Sequence, residues 1–262
     1  MTSSITPSSL VSFDDLGSGP AVLVLHGGGG PRTVAGLAAH LSASHRVIVP
    51  THPGWEGTPR DASLARVADL ATLYRSLLAE LGLSDVTVIG SSLGGWITAE
   101  MAAQDAGVAG AAAGAPAGVV GRIVVVDGAG ILIDGVELPD FFALDPRGIA
   151  ALSWHDPEKF FFDPTALPEA ARAVQKANMA TMADYQGDDY MHDPSLAARL
   201  GDITVPTLFV WGESDGVFPV DYGRAYAASI PGARFELVSE AGHLPQLEQP
   251  EATFALVDAF VG

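Results

Sequence analysis

Short apolar runs alternate along this chain with longer stretches in which apolar residues recur every three or four positions. Continuous apolar runs of strand length are typical of strands that are buried on both faces of a parallel sheet. The runs predict strands over residues 10–13, 21–25, 45–50, 86–89, 122–127, 206–211 and 234–238. A turn rich in glycine, proline and aspartate is predicted at 14–20, directly after the first of them.

Helical spacing is clearest between the third and fourth predicted strands. Ser63 is a candidate cap and Gly82 a candidate stop for this helix. Between them, apolar residues keep helical spacing at Leu64, Val67, Ala71, Tyr74, Leu78 and Leu81. Further helices are predicted over 34–41, 93–104, 221–229 and 249–261. This alternation of strands and helices predicts an α/β fold with a parallel sheet and right-handed crossovers.

The pattern changes between residues 134 and 200. Strand-like runs are absent there, and aromatic residues occur among prolines and acidic residues, with a helix-like stretch at 169–182. We predict that residues 134–200 form a mostly helical cap over the carboxyl edge of the sheet. Residues 1–133 and 201–262 then form the core.

Two stretches have compositions that favour mobility. Residues 106–121 consist almost entirely of Ala, Gly, Val and Pro, and the loop at Asp188 and Asp189 is short, polar and acidic. Segments that bury little apolar surface are expected to be poorly ordered. Both are therefore predicted to be mobile.

One serine stands at a junction of strand, turn and helix, in the sequence Gly90-Ser91-Ser92-Leu93-Gly94. The pattern G-x-S-x-G is the nucleophile-elbow signature, and it requires this structural context. Small residues on either side allow neighbouring backbone to approach a strained turn. The following helix directs its free N–H groups toward the same point. Ser92 is therefore the candidate nucleophile.

A serine hydroxyl needs a base that removes its proton and an acid that orients this base. His243 follows the last predicted strand, and Asp215 follows the strand before it, so both should lie at the carboxyl edge of the sheet. His243 is the candidate base and Asp215 the candidate acid. Competitors for the acid role are Glu213, Asp127 and Asp221.

The chain resembles the α/β-hydrolase superfamily over nearly its whole length. The motifs that carry the resemblance are the loop at His26 and Gly27, segment 53–57, the Ser92 elbow, the acid loop 211–215, and Gly242-His243 with segment 248–251. The chain order of serine, acid and histidine also matches. The resemblance implies an α/β-hydrolase fold, with a mostly parallel eight-stranded sheet flanked by helices. It further implies a helical cap inserted after the sixth strand and no cofactor, and some relatives place the acid at the position of Asp127.

The resemblance also implies an oxyanion hole. One donor is the backbone N–H of Leu93, and the other comes from the glycine loop, at Gly28 or alternatively Gly29. Trp96 follows Ser92 by one helical turn and could either wall the acyl pocket or pack under the elbow. Candidate substrate contacts are Trp96 and, from the cap, Phe141, Trp154 and Phe161.

The remaining histidines are not expected to take part in catalysis. His26 is predicted to anchor the glycine loop. His52, His155 and His192 lie in predicted loops, where a lone histidine is more often solvated than part of a pocket. No His, Asp or Glu grouping has a metal-ligand spacing such as H-E-x-x-H, so no metal site is predicted.

Composition narrows the range of partners. The chain carries 13 Lys and Arg against 31 Asp and Glu, a net charge of −18 at pH 7, which disfavours attraction to nucleic acid and to anionic membranes. The absence of cysteine excludes disulfides, thiolate metal sites and a cysteine nucleophile. The first residues lack a signal-peptide pattern, and no apolar run has the length of a membrane span. A cytoplasmic protein is expected.

These observations favour a cofactor-independent serine hydrolase that cleaves an ester or related acyl bond of a small, partly apolar substrate through an acyl-enzyme. One alternative is carbon–carbon bond hydrolysis, because the loop 26–29 looks like the glycine loop of meta-cleavage-product hydrolases. Another alternative is a ligand-binding member of the fold with little turnover. A serine at the elbow argues against the haloalkane dehalogenase and epoxide hydrolase branches, which place an aspartate there.

Overall fold

One sheet organises the part of the chain that the computed structural model describes, residues 6–109, 118–187 and 189–262. Its strands are β1 (Ser12–Gly17), β2 (Ala21–Leu25), β3 (Arg46–Thr51), β4 (Val86–Ser91), β5 (Val120–Val126), β6 (Thr207–Gly212) and β7 (Arg234–Val238). Their order in space is β1-β3-β2-β4-β5-β6-β7. β1 runs antiparallel to β3, and the other pairings are parallel. The predicted α/β fold with a mostly parallel sheet is confirmed.

Helices connect the strands. The α-helices are α1 (Pro7–Leu10), α2 (Ala35–Leu41), α3 (Val67–Glu80), α4 (Leu93–Ala109), α5 (Pro146–Ser153), α6 (Pro157–Phe160), α7 (Glu169–Gln186), α8 (Pro194–Ala197), α9 (Val220–Ala228), α10 (Pro245–Glu248) and α11 (Pro250–Val261). Short 3₁₀ turns lie at Pro31–Thr33, Trp55–Gly57, Phe141–Ala143, Pro164–Ala166 and Leu200–Asp202. Helices α2, α9 and α11 begin and end within one residue of the ranges predicted from the sequence.

The central strands are covered on both faces. Leu23 and Leu25 of β2 belong to a hydrophobic cluster with α3 and α4, whereas Val22 and Val24 belong to a second cluster with α2 and α11. Every residue of β4 is buried. Because both faces are dry, these strands have continuous apolar sequences instead of alternating ones.

The expectation of eight strands is wrong for the described residues, in which seven strands pair. The residues just before β1 form helix α1 instead of a further strand. Pro7 occupies the first turn of α1, where a proline costs no hydrogen bond, and the Ser8 amide donates to Glu80 of α3. Consequently the first strand is β1, which begins two residues later than predicted and extends into the predicted turn as far as Gly17. The insertion then follows the fifth strand, not the sixth.

Helix α3 begins at Val67, four residues after the cap predicted from the sequence. The Asp69 carboxylate accepts the backbone N–H groups of Ala65 and Arg66, at 3.0 and 2.9 Å, as the acid of a capping box does. Ser63 is held in a preceding turn by the Asp61 carboxylate. An acid inside the helix therefore fixes where the helix starts.

Residues 134–200 lie between β5 and β6, and they contain α5, α6, α7 and α8 without a strand among their described residues. The division into core and cap at residues 134 and 200 stays a prediction. Of the two stretches predicted to be mobile, residues 110–117 and Asp188 lie outside the described residues. No helix in the described ranges combines the length and the apolar character needed to cross a membrane.

Candidate active site

The turn between β4 and α4 presents Ser92 in a strained backbone conformation. Its φ angle is 57°, in the left-handed region that a serine rarely adopts. The turn can be this tight because Gly90 and Gly94 lack a Cβ. A Cβ on Gly90 would lie 2.0 Å from the carbonyl oxygen of Gly94, and one on Gly94 would lie 2.3 Å from that of Leu25. The two glycines of the motif are therefore steric requirements of the elbow.

The structure brings the three residues of the candidate triad together. His243 Nε2 lies 2.9 Å from Ser92 Oγ, and His243 Nδ1 lies 2.9 Å from Asp215 Oδ2. The Asp215 side chain is buried, and that of His243 is 9% exposed. A proton can thus pass from Ser92 to His243 while the carboxylate stabilises the resulting cation.

Asp215 is held by backbone amides as well as by histidine. Its Oδ1 accepts the N–H groups of Val217 and Phe218, at 2.8 and 3.1 Å. The Phe218 ring packs against the imidazole of His243, with the ring centroids 5.6 Å apart. These contacts fix the carboxylate plane and leave Oδ2 for the histidine.

The end of α5 holds the loops that carry the acid and the base. The Ser153 carbonyl accepts the backbone N–H of His243 at 2.7 Å, and the Leu152 carbonyl accepts that of Gly216 at 2.9 Å. Glu248 in α10 is buried, and its carboxylate accepts the N–H groups of Gly242 and His155. The insertion is therefore bonded directly to both loops.

Backbone N–H groups without a hydrogen-bond partner occur next to Ser92 in the chain and in the glycine loop, which lines the same cavity as Ser92. Within residues 6–109, 118–187 and 189–262, the amides of Leu93, Gly28 and Gly29 donate no hydrogen bond. Leu93 starts α4, so its N–H is one of the free donors at a helix N-terminus. Gly27 backs the serine closely, since a Cβ there would lie 2.8 Å from Ser92 Cβ. This arrangement suits a developing negative charge next to Ser92.

An apolar cavity opens on Ser92. This inner cavity has a volume of about 210 Å³ and is bounded by Ser92, His243 and the glycine loop. Its remaining walls are mostly apolar and come largely from the insertion: Phe141, Ile149, Trp154, Met179, Met182 and Met191, with Val217 and Leu244 from the core. An outer cavity of about 540 Å³ shares Gly28, Trp154 and Met179 with it. The outer cavity extends to Phe160, Phe161, Phe162, Arg172 and Lys176.

The predicted substrate contacts fall in three places. Phe141 and Trp154 line the inner cavity, and Phe161 lines only the outer one. Trp96 lines neither of them: it is 3% exposed and packs against Gly130, where an added Cβ would lie 2.8 Å from the indole ring. Trp96 does line a separate cavity with Tyr185 and His192, and its contact with a substrate stays a prediction.

A second group of histidines lies beside the glycine loop. The His26 and His52 rings are fully buried, with their centroids 3.7 Å apart. The His52 amide donates to His26 Nε2, so His26 carries its proton on Nδ1 and donates it to the Gly27 carbonyl. His52 Nε2 donates to the His26 carbonyl, which leaves Nδ1 to accept from the Tyr74 hydroxyl at 2.6 Å. The expectation that His52 is solvated is wrong, because these partners satisfy it in the interior.

Burial keeps both of these imidazoles neutral. Desolvation lowers the pKa of His26 to about 4, against a small opposing effect of its bond to Gly27. Burial also places the pKa of His52 well below its ordinary value, and the neighbouring His26 lowers it further. Trp55 packs edge-on against both imidazoles. Its indole N–H donates to the Gly28 carbonyl at 3.0 Å, and its ring stacks on Tyr185 of α7. Among the residues that the structure describes, neither histidine has a carboxylate partner.

Sequence reasoning missed Met182 and did not foresee the contacts of two residues that it had named. Met182 covers the glycine loop, and a Cβ on Gly28 would lie 2.2 Å from its sulfur. Glu248, in a segment that carries the family resemblance, bonds the histidine loop. Asp127, a competitor for the acid role, lies beside Asp215. These contacts join residues that are distant in sequence, so no local pattern predicts them.

Comparisons with known proteins agree with this geometry. The model of the alpha/beta hydrolase family matches residues 22–256. A 2-hydroxy-6-oxononadienedioate/2-hydroxy-6-oxononatrienedioate hydrolase from Pseudomonas putida is 28% identical, with 95% of this chain and 90% of the relative covered.

Solved structures of similar fold include two hydrolases. The meta-cleavage product hydrolase of Pseudomonas fluorescens IP01 has a TM-score of 0.74 at 19% identity, covering 96% of this chain and 93% of that one. A carboxylesterase from Bacillus subtilis has a TM-score of 0.70 at 22% identity, with coverages of 96% and 87%. With its sheet, elbow and family match together, this chain belongs to the α/β-hydrolase family.

Proposed function

We propose that this protein is a serine hydrolase that cleaves an ester or related acyl bond of a small, partly apolar substrate. The observation that carries the proposal is the continuous hydrogen-bonded series Ser92–His243–Asp215, which ends at an apolar cavity. Neither a metal nor an organic cofactor takes part in this chemistry.

In the first half-reaction His243 Nε2 removes the hydroxyl proton of Ser92 as Oγ attacks the substrate carbonyl. A C–O bond forms, and the electron pair of the carbonyl moves onto its oxygen. Asp215 stabilises the imidazolium that results. When the tetrahedral intermediate collapses, His243 returns the proton to the leaving alcohol.

The oxyanion is received by the backbone N–H of Leu93 and by Gly28, with Gly29 as the alternative donor. Their amides have no other hydrogen bond among the described residues, so they are available to the substrate. Removing one donor of this kind typically costs about 3–4 kcal/mol of transition-state stabilisation.

In the second half-reaction His243 activates a water molecule, which attacks the acyl-enzyme and releases the acid and free Ser92. Residues 134–200 act as the cap that keeps bulk water from the acyl group. Phe141 and Trp154 contact the apolar part of the substrate in the inner cavity, and Phe161 meets longer substrates in the outer one. This fit supports a small acyl compound as the substrate.

The test is labelling with a fluorophosphonate, followed by intact-mass measurement and by assay of a nitrophenyl ester. We expect one adduct on Ser92, loss of ester hydrolysis with it, and no adduct in Ser92→Ala. Ser229→Ala is the matched control, since Ser229 lies at the end of α9 and bonds only within that helix. Ester hydrolysis that survives in Ser92→Ala would refute the proposal, and a protein that takes no label and turns nothing over would be a binding member of the fold.

A second candidate is hydrolysis of a carbon–carbon bond in a vinylogous diketone. It is favoured by the relatives, since several that match over nearly the whole chain are named 2-hydroxy-6-oxononadienedioate hydrolases. The same triad serves both reactions, so the site geometry does not separate them. Parallel assays of a nitrophenyl ester and a 2-hydroxy-6-oxo-dienoate, each with Ser92→Ala as the blank, rank the two by kcat/KM.

A further inference from the structure

A second carboxyl group lies behind the acid of the triad. Asp127 follows β5 directly, has a φ angle of 44°, and is completely buried. Its amide donates to the Val210 carbonyl, and its Oδ1 accepts the N–H of Gly212 at 2.9 Å. β6 thus holds Asp127 in place through both its backbone amide and one side-chain oxygen. Such a conformation is costly for a non-glycine residue, which points to a role for the side chain.

The other oxygen of Asp127 has no hydrogen-bond partner among the described residues when the group is treated as ionised. One oxygen of Asp127, one of Asp215 and a ring nitrogen of His243 all lie within 4.8 Å of one another. The charged and titratable groups that face Asp127 are therefore Asp215 in the loop after β6, His243 in the loop after β7, and Glu248 in α10. Together with Asp127 itself, three of the four groups are carboxyls.

Two neighbouring carboxylates in a dry site cannot both ionise cheaply, so one of them keeps a proton. Asp215 has the better claim to the negative charge, because it accepts two backbone amides and contacts His243. Asp127 accepts a single amide. Burial and then the charge of Asp215 raise the pKa of Asp127 well above its ordinary value.

We propose that Asp127 is a positioning residue: it stays protonated and donates a hydrogen bond from its carboxyl group to the Asp215 carboxylate. This bond satisfies the otherwise unpaired oxygen of Asp127. It also gives Asp215 a fourth donor, in addition to two backbone amides and His243, which holds the carboxylate plane toward His243 and spreads its negative charge. The proposal rests on the proposed function for its kinetic consequences but not for the protonation itself.

The kinetic test compares Asp127→Asn with Asp127→Leu. An asparagine keeps a neutral donor toward Asp215 and an acceptor for Gly212, so we expect kcat within about threefold of the parent and the same acidic limb of the kcat/KM profile. Leucine has a similar size but no donor, so we expect kcat to fall about tenfold or more. Its acidic limb should move to higher pH by roughly half a unit to one unit, because an unshielded Asp215 holds the His243 proton more strongly.

Other outcomes overturn the proposal. If Asp127 were ionised, both substitutions would remove a negative charge and move the acidic limb to lower pH. If Asp127 were merely structural, both variants would lose thermal stability with no change in the pH profile.

A direct readout does not depend on turnover or on the leucine variant. The infrared difference spectrum of the parent minus Asp127→Asn should contain the C=O band of a protonated carboxyl group at neutral pH. Absence of that band would refute the protonated state even in a fully active enzyme. Conversely, its presence in a protein that fails the Ser92 labelling test would leave this inference standing while the proposed function falls.

Discussion

The pair His26 and His52 and the single His243 lie at the same edge of the sheet, but they differ in their partners and in their access to the cavity. His26 and His52 directly follow β2 and β3, and His243 lies in the loop after β7. His243 has a carboxylate on one side, a serine hydroxyl on the other and an open cavity beside it. His26 and His52 are fully buried among neutral partners. Fold position alone does not make a histidine a base, because a charged partner and access to the cavity are also needed.

The buried histidine group has a role of its own beside the reactive one. Its hydrogen bonds run from Tyr74 of α3 through His52 and His26 to the backbone of the glycine loop. Since Gly28 belongs to that loop, the group supports one wall of the site without touching the substrate. The comparison therefore predicts that changes at His243 affect activity and changes at His52 affect stability.

The largest expected effect is on activity. His243→Gln should lower kcat/KM for a nitrophenyl ester by about 10⁴-fold, because the base is lost while backbone and packing remain. Thermal unfolding should shift little. His40→Gln is the control, since His40 is exposed, pairs with Asp258 at the surface and stacks on Phe254 of α11. Retention of more than a hundredth of the activity would contradict the assignment of the base.

The next effect is on stability. His52→Leu should lower the free energy of unfolding by about 3 kcal/mol, because it leaves the Tyr74 hydroxyl and the His26 carbonyl buried without a partner. Urea denaturation measures this, with His40→Leu expected to change stability by about 0.5 kcal/mol or less. If His52→Leu instead kept its stability and lost activity, the two histidine groups would not differ as described.

A pH-dependent effect follows from the neutral state of His26. Its pKa is about 4 in the folded protein and 6.5 when unfolded, so the unfolded state binds more protons between these values and stability falls as pH falls through this window. In a His26→Gln variant, this fall in the free energy of unfolding does not occur. The difference in unfolding free energy between the parent and His26→Gln should thus narrow by about 3 kcal/mol from pH 6.5 to pH 4.

Urea titrations of both proteins across that range measure the narrowing. Groups common to both, such as Asp127, cancel in the difference. A gap that stays constant with pH would mean that His26 is not kept neutral by burial.

The smallest expected effect tests whether the buried group of His26, His52 and Trp55 influences catalysis through the glycine loop. Trp55→Phe removes the indole bond to the Gly28 carbonyl but keeps an aromatic ring against Tyr185. We expect kcat to fall about threefold to tenfold, because the proposed oxyanion donor at Gly28 would be less well positioned, and stability to fall by about 1 kcal/mol. Phe235→Leu, on the far strand β7, is the control for loss of an aromatic ring, and equal kcat values in the two variants would separate the buried group from catalysis.

Local patterns predicted most of the fold and the three residues that the structure brings together at the candidate site. Strand–helix alternation is a short-range signal, as is the motif around Ser92, and the chain order of Asp215 and His243 put them behind the last two strands. What could not be predicted depends on partners far away in sequence. The Tyr74 hydroxyl lies 22 residues from His52, and no periodic pattern connects a helix surface to a buried loop histidine.

Trp96 shows a second limit of local patterns. Its N–H donates to the Ser92 carbonyl at 3.2 Å, as a helical turn requires, but Ser92 has a φ angle of 57°, outside the helical region. Helical spacing therefore does not fix the relative direction of the two side chains, and it leaves both alternatives for Trp96 open. Likewise, β1 begins late because Pro7 and Ser8 start a helix that bonds to α3.

The bonds from Leu152 and Ser153 to the acid and histidine loops bear on how such enzymes can be recombined. A lid that merely covered the core could be exchanged for that of another hydrolase to change specificity. Here the last turn of α5 bonds to the loop that contains His243, and the His155 amide donates to Glu248, which also bonds to that loop. Chimaeras should therefore keep residues 146–156 with the core and join the foreign lid after residue 156. Exchanges that replace α5 should lower turnover before they change substrate selectivity.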